Sequence, residues 1–196
     1  PVEKIGTEMH ELLTMANRTT EDVFSLLDNL LKWTKSQIGN LNVVYQDVDA
    51  VEVVDSVIDV FNMVAGLKKI TIREEKPEKL PVCTDIDMLK TIIRNLLSNA
   101  IKFSNENSEV LVKMEEQGDT VVVSVKDSGC GIDEEGQKKL LHTDTHFSTF
   151  GTNNEEGSGL GLLLCQDFAV KSGGKLWFTS KKGEGSTFYF SIPLKK

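Results

Sequence analysis

The sequence predicts an α+β protein: one sheet covered on one face by helices, preceded by a long bundle-forming helix. Three observations predict it. Segments with a helical apolar period are mixed with short alternating segments, the pattern of helices laid against a sheet. Two of the alternating segments flank Gln117-Gly118-Asp119, a hairpin turn that makes them antiparallel. The N-terminal run carries two apolar stripes side by side, more than a two-stranded seam needs.

The long helix is expected from Leu12 to Ile38. Leu12, Ala16, Thr19, Val23, Leu26, Leu30 and Trp33 alternate four and three apart, the spacing of a coiled-coil seam. Leu13, Thr20, Phe24, Leu27, Leu31, Thr34 and Ile38 form the second stripe, and Gly39-Asn40 ends the run. A strand is expected around Leu41, Val43 and Tyr45. Asp49-x-x-Glu52 then opens a helix through Val54, Val57, Ile58, Phe61 and Ala65 to Gly66. Ile70–Arg73 is expected as a strand and Pro77–Pro81 as a polar connection. Thr84 or Asp85 caps a helix reaching Phe103. Strands follow at Glu109–Glu115 and Thr120–Lys126, with a brief helix near Glu134–Leu141. A helix over Gly161–Ser172 and strands at Lys175–Ser180 and Thr187–Pro193 complete the chain. The polar, glycine-dotted stretch between Asp127 and Gly159 is long for a compact domain, and its part from Asp133 to Glu156 is expected to act as a lid. These elements divide the chain into residues 1–40 and residues 41–196.

Composition narrows the function. A net charge of −8 over 196 residues excludes a basic face for nucleic acid. No run of about 18 apolar residues occurs, so no direct membrane contact is expected, and no signal peptide is visible at the N-terminus. The three cysteines, Cys83, Cys130 and Cys165, have no CxxC spacing, which points to a cytoplasmic setting rather than a disulfide framework.

Three groups of residues stand out. Asn95, Asn99 and Lys102 fall at i, i+4 and i+7, on one arc of a helix whose apolar face is Leu89, Ile93, Leu96 and Ala100. Solvated helix faces favour Glu, Lys and Gln, whereas Asn is a poor helix former. Two asparagines beside a lysine offer neutral oxygens to a hard cation and a positive charge to phosphate. Asp127-Ser128-Gly129-Cys130-Gly131-Ile132 ends a strand. Its bland reading is a turn; its functional one is a carboxylate accepting from an exocyclic amine, with Gly129 and Gly131 letting the backbone lie close to a flat ring. Gly157-Ser158-Gly159-Leu160-Gly161 opens a helix, where free amides and the helix dipole suit phosphate. It has neither the Rossmann nor the P-loop spacing.

In order, these groups, with Phe147-Ser-Thr-Phe150 between them and Gly183-Glu-Gly185-Ser186-Thr187 after them, resemble the N, G1, F, G2 and G3 boxes of sensor histidine kinases. Phe24–Asn40 is similar to the second helix of that family's dimerisation and histidine-phosphotransfer hairpin. The resemblance implies the Bergerat fold, a two-layer α/β sandwich with a mixed sheet that holds ATP. It implies Asn99 as the Mg²⁺ ligand, Asn95 in support, and Lys102 near the phosphates. Phe103 stands where many relatives have tyrosine, Asp127 would read the adenine amine, and Gly129, Gly131 and Ile132 would shape the base pocket. Gly157, Ser158, Gly159, Leu160 and Gly161 would bind phosphate, with Thr187 supporting the adenine side through its hydroxyl. It further implies a homodimer through the hairpin, a response-regulator receiver domain as partner, and a cytoplasmic location, with anchoring of a parent protein in the inner membrane left open.

One departure concerns the phosphate acceptor. The family's histidine precedes Glu or Asp in a motif followed by proline. His10 precedes Glu11, but no proline follows, and His10 lies on the run into the second helix. The acceptor is therefore expected outside these residues. His142 and His146, four apart, have the spacing of a metal pair but no third ligand nearby. Fold relatives that hydrolyse ATP, such as gyrase B and heat-shock chaperones, use a glutamate on the helix that here carries Asn95. Met88 to Arg94 contains none. A nucleotide-binding regulatory module without kinase activity is the remaining alternative.

Overall fold

The computed structural model describes Met9, Thr20, Val23 and residues 27–36, 42–140, 151–152 and 159–194. It divides into two compact units, Pro1–Leu41 and Asn42–Lys196. In the first, residues 27–36 form a helix, α1, with Leu27, Leu30 and Leu31 exposed. The remainder of the expected long helix, apart from Thr20 and Val23, lies outside the described residues, as does His10.

The second unit is a five-stranded sheet with helices on one face. Its strands are β2 (Thr71–Glu75), β4 (Glu109–Gln117), β5 (Thr120–Lys126), β6 (Leu176–Lys181) and β7 (Gly185–Pro193), in the order β2-β4-β5-β7-β6. β2 runs parallel to β4 and the other pairs are antiparallel, so the sheet is mixed. Period-two alternation sends Val110, Val112 and Met114 of β4, Val121, Val123 and Val125 of β5, and Phe188, Phe190 and Ile192 of β7 into the core. The helices α2 (Ala50–Leu67), α3 (Ile86–Phe103) and α5 (Gly161–Lys171) meet them with Val54, Ile58, Ile93, Leu97, Leu164 and Phe168. A short helix, α4 (Glu134–Lys139), is capped by the Asp133 carboxylate on the Gly136 amide. On the opposite face of the sheet Trp177 stacks on Tyr189, ring centroids 5.3 Å apart.

Two expectations change. Residues 42–45 of the expected first strand are irregular, and the strand is β1 (Gln46–Asp49); Leu41 lies outside the described residues. The Val44 amide donates to Asp85 Oδ2 at 2.8 Å and the Tyr45 hydroxyl donates to the Lys171 carbonyl at 2.7 Å. The connection ending at Pro81 runs into an additional strand, β3 (Pro81–Thr84), which pairs antiparallel with β1. Proline is tolerated there as a strand's first residue.

The expected capping residues do cap. Asp49 accepts from the Val51 amide at 3.0 Å and also from the Leu80 amide at 2.9 Å. Asp85 Oδ1 accepts from Asp87 and Met88 amides, at 2.9 and 3.0 Å, and so starts α3. Helix α2 ends in a Schellman turn: Ile70 N donates to Ala65 O and Lys69 N to Gly66 O, with Lys69 left-handed at φ +55°.

Candidate functional site

Helix α3 is the frame of the site. Leu89, Ile93, Leu96 and Ala100 are buried, which leaves Asn95, Asn99 and Lys102 half-buried on the other arc. The two asparagines differ in what they do. Asn95 Nδ2 donates to the Thr91 carbonyl at 2.9 Å, which fixes the carboxamide along the helix. The Asn99 carboxamide has no hydrogen-bond partner among the described residues. The Lys102 ammonium lies over the Phe103 ring, 5.1 Å from its centroid.

Asp127 extends β5 and is buried, 4% exposed. Its Oδ1 accepts from the Gly129 amide at 2.9 Å and the Ser186 amide at 3.2 Å. No described residue donates to Oδ2. Burial raises the Asp127 carboxyl above the usual aspartate range, and the amide hydrogen bonds oppose that shift. Among the described residues the carboxylate is therefore held by one oxygen only.

The glycines have a reason beyond ligand approach. A Cβ on Gly129 would overlap the Phe103 carbonyl oxygen, and one on Gly131, at φ +62°, would overlap the Lys181 carbonyl oxygen. A Cβ on Gly161 would lie 2.5 Å from Asn95 Oδ1. Glycine at 129 thus seats the Asp127 turn on the C-terminal end of α3, while glycine at 161 seats the start of α5 against its middle. Gly159 also has a positive φ, +68°. Among the described residues no side-chain capping hydrogen bond is made at Leu160, the N-cap position of α5. Ile132 is half-buried; its amide donates to Ser180 Oγ at 2.8 Å and its carbonyl accepts from Gln137 Nε2 at 2.7 Å.

Strand alternation groups Thr187 with Tyr189, on the face away from buried Ser186 and Phe188. The neighbouring Ser186 donates its backbone amide to Asp127 Oδ1, while its hydroxyl lies 2.9 Å from that of Ser180. Sequence reading missed Ser186, although the small-polar pair after Gly185 contained it. Gly157, Ser158, Phe147–Phe150, His142 and His146 lie outside the described residues, as do residues 141–150 and 153–156 of the expected lid. No group of three metal-binding His, Cys, Asp or Glu side chains occurs among the described residues. No described helix is long and apolar enough to cross a membrane.

Residues 84–196 match the family model described as histidine kinase-, DNA gyrase B-, and HSP90-like ATPase. The adaptive-response sensory kinase SasA of Crocosphaera subtropica is 29% identical over 196 residues, covering 99% of this chain and 51% of SasA. The catalytic domain of histidine kinase ThkA is similar in structure, with a TM-score of 0.67 at 30% identity over 77% of this chain and 96% of that domain. ThkA in complex with the response regulator TrrA gives a TM-score of 0.72 at 24% identity, over 91% of this chain and 49% of ThkA. The chain spans about half or less of the length of the curated relatives it matches.

Proposed function

The chain belongs to the histidine kinase-, DNA gyrase B- and HSP90-like ATPases, on the histidine kinase side, and from that premise we propose that it binds Mg²⁺–ATP and delivers the γ-phosphoryl group to a protein histidine. The observation that carries the reading is the Asp127 carboxylate, buried and, among the described residues, held through Oδ1 only. An acceptor held this way suits the exocyclic amine of adenine and rejects the carbonyl that guanine has there. At the phosphate end Asn99 would hold Mg²⁺, since its carboxamide is a neutral, hard oxygen donor with no hydrogen-bond partner among the described residues. Bound there, the ion would offset charge on the phosphates. Lys102 adds a point charge, and the start of α5 adds amide donors. Positioning and charge neutralisation suffice for phosphoryl transfer, so the domain needs no nucleophile of its own.

The histidine is proposed to stand on the first helix of a dimerisation hairpin, with residues 1–40 contributing the second. Dimerisation through that hairpin and onward transfer to a receiver domain, the class of partner that the ThkA complex contains, belong to the same proposal. Calorimetric titration tests it. ATP should bind with Mg²⁺ more tightly than without, GTP should bind far more weakly, and Asn99→Ala should abolish the Mg²⁺ enhancement. Equal affinity for ATP and GTP would sink the assignment of Asp127.

A further inference from the structure

Lys68, at the end of α2, lies far in sequence from every motif of the site and is nevertheless buried, 8% exposed. The Schellman turn at Lys69 fixes its backbone. Its ammonium donates to the Ile101 carbonyl at 3.0 Å, the Lys102 carbonyl at 2.8 Å and Thr152 Oγ1 at 2.5 Å. Two of these acceptors are last-turn carbonyls of α3, which lack helical partners and carry the negative end of the helix dipole. A buried ammonium is stable only when its donors are matched, and these three acceptors are among its partners.

The third acceptor gives the cluster its significance. Thr152 is also tied directly to the end of α3: its amide donates to the Lys102 carbonyl at 3.2 Å and its hydroxyl to the Ser104 carbonyl at 2.8 Å. In sequence Thr152 falls between the phenylalanine motif and the glycine run. That run is seated on the same helix at its other end, by Gly161 against Asn95. Thr152 and Gly161 are therefore two anchor points on one helix, at its C-terminal end and its middle. Asn99 and Lys102 lie on the stretch between them, which spans roughly 10 Å at the helical rise.

We propose that Lys68 is a positioning residue for nucleotide binding: its ammonium locks Thr152 to the C-terminal carbonyls of α3 and so holds one of the two anchor points between which Asn99 and Lys102 lie. This rests on the ATP-binding reading above. Lys68 touches no nucleotide in this scheme. It acts by preorganisation, removing conformational freedom that binding would otherwise have to remove.

The test uses the whole chain and a non-hydrolysable ATP analogue with Mg²⁺. Lys68→Met keeps the aliphatic stem and removes the donors; Thr152→Val removes only the hydroxyl. Each should weaken the analogue by roughly tenfold, the scale of one hydrogen bond to a charged group. The double variant should be little weaker than Lys68→Met alone, because both changes break one tie. Hydrogen exchange at the Thr152 amide should quicken in both single variants. Val53→Ala, a buried change elsewhere on α2, serves as the control for lost stability and should leave affinity near wild type. Affinity that follows melting temperature alone across all variants, or additive losses in the double variant, would overturn the proposal. Should Lys68→Met not fold, Thr152→Val decides alone: unchanged affinity and exchange overturn it. A wild-type chain that binds no ATP analogue would instead overturn the functional reading, and this proposal with it.

Discussion

Replacing Asp127 by Asn separates two tasks that one carboxylate performs. Oδ1 accepts from the amides of Gly129 and Ser186 at 2.9 and 3.2 Å, and a carboxamide oxygen can keep both. The new nitrogen then occupies the place of Oδ2 and presents donors where the adenine amine also donates. Losing that charge-assisted bond should cost about 1.5–3 kcal/mol, roughly a 10- to 150-fold drop in ATP affinity. Stability should move the other way. Burial raises the Asp127 carboxyl above its ordinary value, despite the amides that pull it down. The folded chain therefore keeps this proton after the unfolded chain has lost it. Stability contributed by the group is full below the ordinary aspartate value and falls as pH rises to the raised one. A neutral carboxamide has no such fall. Asp127→Asn should melt above wild type at neutral pH, and the gap should close as pH drops below about 3.9. Titration calorimetry and melting curves across pH read both effects. Unchanged ATP affinity would refute the base-reading role; a variant less stable than wild type at neutral pH would refute the claim that burial outweighs the amide bonds.

Three further substitutions probe the frame. Gly161→Ala places a methyl 2.5 Å from Asn95 Oδ1, so Asn95 must give up its bond to Thr91; calorimetry should find weaker Mg²⁺–ATP binding with under about 1.5 kcal/mol of stability lost. Lys69→Gly relieves a left-handed lysine at φ +55°, and after the entropy cost of glycine should raise stability by about 0.5 kcal/mol, or about 1–2 °C in melting temperature. Asp85→Ala removes the α3 cap and leaves the Val44 amide without its acceptor; urea unfolding should register a loss of about 2 kcal/mol, and exchange at the Val44 amide should quicken.

The sequence made the layered fold legible because its helices and inner strands obey a period throughout. Val121, Val123 and Val125 face the core as alternation demands, and Asp85 caps α3 as its position demands. Asn99 was legible because an interior helical asparagine is anomalous. Ser186 and Lys68 were not. Ser186 is one of two adjacent small polar residues, and only the pairing of β5 with β7, which sets Lys126 opposite Thr187, decides which one meets Asp127. Lys68 looks like any lysine at a helix end; its partners lie 33, 34 and 84 residues away, beyond any local pattern. The glycines were legible as sites where a side chain is excluded, but not for what excludes it. At 129, 131 and 161 that is this protein's own backbone or the Asn95 side chain.

Those exclusions have a mechanical consequence. Helix α3 carries a carboxylate cap at its start, from Asp85, and an ammonium cap at its end, from Lys68; each opposes the dipole end it meets. Between the caps it touches the Asp127 turn through Phe103 and Gly129, and the start of α5 through Asn95 and Gly161. The groups proposed for base, metal and phosphate are therefore referenced to one rigid rod rather than to one another through flexible loops. A close-packed contact of this kind cannot deform gradually, since a shift of even a few tenths of an ångström meets repulsion from carbonyl oxygens. Anything that moves α3 should consequently move adenine-side and phosphate-side groups together. Substitutions at either cap should then change affinity for ATP and for adenosine in parallel, whereas Asn99→Ala should affect ATP alone. Separate responses at the two caps, one confined to the base and the other to the phosphates, would show that the helix does not act as a unit.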